Sequence, residues 1–149
     1  VCRCLRPGAP FLLSVVTDHL LEWATLSRLV ADVGEPARAR AMQVEYERYH
    51  HLVSAFPPEV WVKHLDEAGV DVEEHVPIVP ELTGRLFLLL DQLWHVPRPA
   101  GELGDVLLPY LAGLPNFPAA FRQILAGVLR MEPDWSTGCG AVFYARKRR

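Results

Sequence analysis

Two short groups of side chains have types and spacing suited to chemistry. Thr17-Asp18-His19 places a hydroxyl, a carboxylate and an imidazole in consecutive positions, just past the run Phe11-Leu12-Leu13-Ser14-Val15-Val16. That run is rich in strand formers, and in open α/β sheets ligands bind outside the carboxyl ends of strands. The three residues are therefore candidates for substrate contact, by fold analogy. The plainer alternative is that Thr17 or Asp18 caps a following helix. Tyr49-His50-His51 forms the second group, in a segment able to lie over the same pocket. Adjacent histidines at a helix end point in different directions. Neither has a carboxylate three or four residues downstream, so the sequence assigns no metal site. A solvated helix end is the alternative to pocket contact.

Cysteine chemistry is sparse. Cys2 and Cys4 form C-x-C, half of a metal site if other soft ligands lie near, but Cys139 is the only other cysteine. Both are read as buried, small apolar residues. An odd count favours a reducing interior over a disulfide framework. Residues 1–16 carry Arg3 and Arg6, but Pro7, Gly8 and Pro10 break the apolar centre that a cleavable signal peptide needs. The expectation is a cytoplasmic protein.

The elements that must position these groups follow from composition and pattern. The chain has 149 residues, 50% hydrophobic and 22% charged, with a net charge of −3. That composition excludes wholesale disorder, and the length suits one domain burying roughly two-thirds of its unfolded surface. A slightly acidic balance gives no support for a nucleic-acid partner, and no apolar run approaches the ~20 residues of a membrane span. The continuous run Phe11–Val16 predicts a strand buried on both faces, hence an α/β layer structure. Leu20, Leu21, Trp23, Ala24, Leu26, Leu29 and Val30 recur at helical spacing until Gly34. Further helices are predicted from Pro36 through His50 and from Pro58 to Gly69. Residues 70–76 alternate as a strand with one wet face, and residues 138–145 read as a last strand. Between them, about residues 80–133, lies a helical insertion with segments 82–96, 103–111 and 118–131. The first strand then has nothing to cover its free edge, which is a liability.

The segment Leu5-Arg6-Pro7-Gly8-Ala9-Pro10-Phe11-Leu12-Leu13-Ser14-Val15 resembles the turn that leads into the fifth strand of class I S-adenosylmethionine-dependent methyltransferases, of the type 11 kind. Pro58-Glu59-Val60-Trp61-Val62-Lys63-His64-Leu65-Asp66-Glu67-Ala68-Gly69-Val70 is similar to the helix entering their sixth strand. Gly140-Ala141-Val142-Phe143-Tyr144-Ala145-Arg146-Lys147 is similar to their closing strand. Ala9 and Val70 depart from the usual glycine and phenylalanine. The resemblance implies the C-terminal part of a Rossmann-like sheet, holding the fifth, seventh and sixth strands, with the helical insertion between the last two strands of the chain.

The family's glycine-rich loop and ribose-binding acid have no counterpart in this sequence, so no cofactor-binding residue is assigned within it. The resemblance thus implies one portion of a methyltransferase domain, with S-adenosylmethionine bound mainly by an N-terminal half that the sequence lacks. It implies a small-molecule acceptor, with Thr17, Asp18, His19, Tyr49, His50 and His51 as contacts and His19 as proton acceptor. Phe87, Trp94, His95, Tyr110, Phe117 and Phe121 form either plain core or an apolar wall suited to an uncharged acceptor. Arg146–Arg149 is read as a frayed, solvated tail. The alternative is a non-catalytic binding module, or one that self-associates through the open strand edge.

Overall fold

The computed structural model describes residues 4–149, so Cys2 lies outside the described residues. The chain order is β1 (Pro10–Val16), α1 (His19–Glu22), α2 (Thr25–Asp32), α3 (Pro36–Tyr49), α4 (Pro58–Glu67) and β2 (Val70–Ile78). It continues with α5 (Glu81–Trp94), the ribbon β3 (Pro97–Arg98) and β4 (Gly101–Glu102), then α6 (Leu103–Ala112), α7 (Phe117–Arg130) and β5 (Gly140–Lys147). The fold is α/β. Its main sheet has the order β1-β5-β2, and β5 runs antiparallel to both neighbours. β1 and β2 are therefore parallel to each other and touch only through β5. Among the described residues β1 is paired on one side alone.

Local chemistry explains most boundaries. Gly8 at φ 78° makes the turn before β1, and Gly69 at φ 72° makes the turn between α4 and β2. Proline in the first turn opens α3 and α4, where its missing N–H costs nothing. The helix expected to run from Leu20 to Val30 is instead two helices, because Ala24 is extended at ψ 90°. Partners from α5 stabilise that break. Gln92 Oε1 accepts the Leu26 N–H at 3.1 Å, and Thr25 Oγ1 donates to the Arg85 carbonyl at 3.2 Å.

One sheet face is covered along its length. Phe11, Leu13 and Val15 of β1, Ala141, Phe143 and Ala145 of β5, and Val70 and Val72 of β2 pack with Trp61 and Leu65 of α4. Phe143 is fully buried at the centre. The opposite face is not covered throughout, contrary to the expectation of a strand buried on both faces. The directly paired Leu12 and Tyr144 are 62% and 46% exposed. Only toward its carboxyl end does that face meet a layer, where Val16 packs on Leu20, Trp23, Tyr46, Leu88 and Cys139.

Three further expectations change. Phe87 and Tyr110 are exposed, and α7 buries no residue, so the aromatic residues of the insertion are not a core. The reason is architectural: α6 and α7 rest on α5 and not on the sheet. Cys4 is exposed, while Cys139 is buried. The basic tail is not frayed. Arg146 Nε donates to Glu73 Oε1 at 2.7 Å, and Arg148 donates to both Asp71 and Asp66. No described helix is long and apolar enough to cross a membrane.

The two faces of the sheet should respond differently to truncation. In urea titrations Phe143→Ala is expected to lose about 3–5 kcal/mol of stability. Leu12→Ser on the open face is expected to change it by no more than about 0.5 kcal/mol.

Candidate functional site

Because β5 is antiparallel to its neighbours, its amino end lies beside the carboxyl ends of β1 and β2. A cleft of about 200 Å³ opens at that edge, with Thr17, His19, Glu59, His75, Pro77 and Gly138 among its walls. The loop before β5 fits there only with glycine. A Cβ on Gly138 would collide with the Ile78 carbonyl oxygen.

Two of the first three expected residues reach the cleft. Thr17 is buried, and its hydroxyl donates to the Gly138 carbonyl at 2.6 Å. Its N–H donates to the Cys139 carbonyl at 3.0 Å. Thr17 therefore ties the exit of β1 to the entry of β5, and its hydroxyl proton is already engaged. Asp18 is not among the lining residues. It occupies the N-cap of α1, yet its side chain makes no capping bond, and Oδ1 is buried without a partner.

His19 is the lining residue best placed for proton transfer. Its ring stacks on Trp23, with centroids 4.8 Å apart and planes 2° from parallel. Nδ1 lies 2.9 Å from Glu22 Oε2. An ionised carboxylate only accepts, so a neutral ring carries its proton on Nδ1 and presents Nε2 as an acceptor. The pair thus fixes both the plane and the tautomer of the imidazole.

His75 belongs to the same cleft and was not singled out from the sequence. Simple alternation from Val70 puts His75 on the wet face of β2 with Asp71 and Glu73. The register shifts between Val72 and Glu74, however, and His75 pairs with Phe143. The imidazole consequently stacks on the Phe143 ring at 4.9 Å. Nothing in the sequence marks that bulge.

The second expected group lies elsewhere. Tyr49, His50 and His51 do not line the cleft. At the carboxyl end of α3, His50 meets α5, where its Nε2 is 3.2 Å from Asp91 Oδ2. His95 Nε2 is 3.7 Å from Asp91 Oδ1, and its Nδ1 is 2.7 Å from Glu102 Oε2. Tyr46 donates to Asp91 Oδ2 at 2.8 Å. Burial, and then Asp91, raises the Tyr46 phenol well above its ordinary value. Tyr49 packs on His95 with centroids 4.4 Å apart, while His51 is exposed in the left-handed region at φ 53°. Asp91 and His95 stand four residues apart on α5. That is a one-face spacing readable in the sequence, though its pairing with His50 is not.

No family model matches the chain, and no curated protein matches it either.

Two measurements check this geometry. Thr17→Val, which keeps the shape but removes the donor, is expected to destabilise the fold by about 1–3 kcal/mol, while Thr17→Ser stays close to wild type. Burial pushes the Cys139 thiol up to about 11, so it holds its proton at neutral pH. Iodoacetamide at pH 8 is accordingly expected to label Cys4 first and Cys139 only as urea unfolds the chain, as followed by peptide mass spectrometry.

Proposed function

We propose that these residues form the acceptor side of an S-adenosylmethionine-dependent methyltransferase acting on a small molecule. The observation that carries the reading is the strand order β1-β5-β2. It sets the last strand of the chain between the other two, as the fifth–seventh–sixth order of the resembled family requires. The cleft at the carboxyl ends of β1 and β2 supports it further, being where α/β sheets place their ligands.

S-adenosylmethionine, which the resembled family holds mainly by a glycine-rich loop and an acidic residue without counterparts here, would supply an electrophilic methyl group and leave as S-adenosylhomocysteine when its methyl–sulfur bond breaks. The acceptor's nucleophilic atom must shed a proton as its bond to that methyl forms. His19 Nε2 takes that proton, and Glu22 and Trp23 hold the ring for it. Thr17 and Gly138 fix the floor of the cleft. His19, Glu59, His75, Ser136 and Thr137 line the cleft together with Pro58 and Pro77, and none of the insertion's aromatic residues is among its walls. A cleft of about 200 Å³ is below the ~300–1,000 Å³ of complete small-molecule sites, so it accommodates the reacting end of the acceptor.

The free side of β1 favours a second reading, in which the chain is a non-catalytic module that self-associates along that edge.

Turnover separates the two. The complete polypeptide containing these residues, offered a panel of small hydroxyl and amine acceptors, should form S-adenosylhomocysteine. His19→Ala should lower kcat by about 10²–10⁴-fold. No product with any acceptor, together with a concentration-dependent dimer in sedimentation, would favour the module. The 149-residue chain alone should give no calorimetric signal with S-adenosylmethionine, and micromolar affinity contradicts the division of the site proposed above.

A further inference from the structure

We propose that His50, Asp91 and His95 form a binding site for a divalent transition-metal ion of the zinc class. The proposal is independent of the methyltransferase reading. One ligand atom from each of the three residues lies within 4.8 Å of the other two. A tetrahedral ion with bonds of ~2.0–2.1 Å sets its ligand atoms about 3.3 Å apart. His50 Nε2 lies 3.2 Å from Asp91 Oδ2 and His95 Nε2 lies 3.7 Å from the other oxygen, Oδ1, so the carboxylate faces one ring with each of its oxygens. Rotation of the carboxylate and the two rings would draw the three ligand atoms from within 4.8 Å to that tetrahedral spacing.

The surroundings prepare these atoms as ligands and not merely as ion-pair partners. His50 Nε2 is buried, and although it lies near Asp91 it makes no hydrogen bond there or elsewhere. A neutral imidazole with its lone pair aimed at a carboxylate gains nothing unless a proton or a cation sits between them. His95 donates Nδ1–H to Glu102, which leaves the Nε2 lone pair directed at Asp91. A carboxylate on the far nitrogen is the arrangement that orients metal-binding histidines and raises their basicity. Tyr46 plays the corresponding part for Asp91, donating to Oδ2.

Glu102 itself is held by the start of α6, where its N–H donates to Asp105 Oδ2 at 2.8 Å. Four elements thus converge on three ligands: α3, α5, the β4 strand and α6. The Tyr49 ring packs against both imidazoles, with centroids 5.0 Å from His50 and 4.4 Å from His95.

Two imidazoles and one carboxylate suit zinc and its neighbours, and not calcium or magnesium, which take oxygen ligands. Three protein ligands leave a coordination position open to water or another ligand. A bound ion would also fasten the end of α3 to the end of α5, so binding must raise the melting temperature by mass action.

The test uses the full chain after chelator treatment. Zinc titration against a competing chromophoric chelator should show one equivalent bound per chain, and Co²⁺ should give the intense visible bands of four- or five-coordination. His50→Ala, Asp91→Asn and His95→Ala should each weaken zinc binding by about 100-fold or more, and Glu102→Gln by about 10–100-fold. His64→Ala, at an exposed position of α4, should leave it unchanged. Should a variant fail to fold by circular dichroism, histidine NMR of the wild type decides. One equivalent of zinc should then shift the His50 and His95 ring signals and leave His64 in place. No binding tighter than millimolar, binding retained in the folded variants, or shifts confined to other histidines would overturn the proposal.

Discussion

The insertion of the last strand between the first two is the constraint on which the rest depends. β1 and β2 share no hydrogen bonds, and each is held in the sheet by β5 alone. Their pairings reach across more than a hundred residues in one case and about seventy in the other, such as Leu13 with Phe143 and Val70 with Lys147. Closing such loops is entropically costly, so the sheet forms only when β5 arrives with enough apolar surface to offset it. Phe143, Ala141 and Ala145 supply that surface, and α4 closes over them. The cleft exists for the same reason. An antiparallel central strand turns its amino end, with Gly138 and Cys139, toward the carboxyl ends of its neighbours, where Thr17 ties the edges together.

The insertion between β2 and β5 is organised differently. α5 is its only element that buries side chains deeply, through Leu88 and Gln92, while α6 and α7 rest on it with much of their apolar surface outward. Val106, Leu108, Tyr110, Ile124 and Met131 are all more than 40% exposed. Meanwhile α5 faces α3 with the polar cluster around Asp91, so one helix serves both the core and the proposed metal site.

Much of this was legible in the sequence. The three main strands, the proline-opened helices and the helical stretch before the last strand follow from apolar periodicity and from glycine and proline placement. What escaped was set by tertiary partners. The break at Ala24 depends on α5, where Gln92 accepts the Leu26 N–H and the Arg85 carbonyl accepts from Thr25. A continuous apolar run does not distinguish a strand covered on both faces from an edge strand whose second face is bare at Leu12. Of the expected site residues, Thr17 and His19 reach the cleft because strand polarity alone places them there. His75 reaches it through a bulge that no residue type signals, and His50 finds its partners forty residues away on a helix whose packing the sequence does not state.

β5 is the middle strand, and among the described residues the outer side of β1 is unpaired. The bonds from Thr17 N–H to Cys139 and from Lys147 N–H to Ala9 fix the phase of the ladder. Phe11, Leu13 and Val15 therefore donate inward to β5, and the Leu12 and Ser14 amides point outward. Native-state amide hydrogen exchange on the 149-residue chain reads this directly. The account predicts slow exchange along the whole of β5 and at Phe11, Leu13 and Val15, with Leu12 and Ser14 exchanging at nearly the rate of an unstructured peptide. Protection of Leu12 and Ser14 equal to that of their neighbours would contradict it.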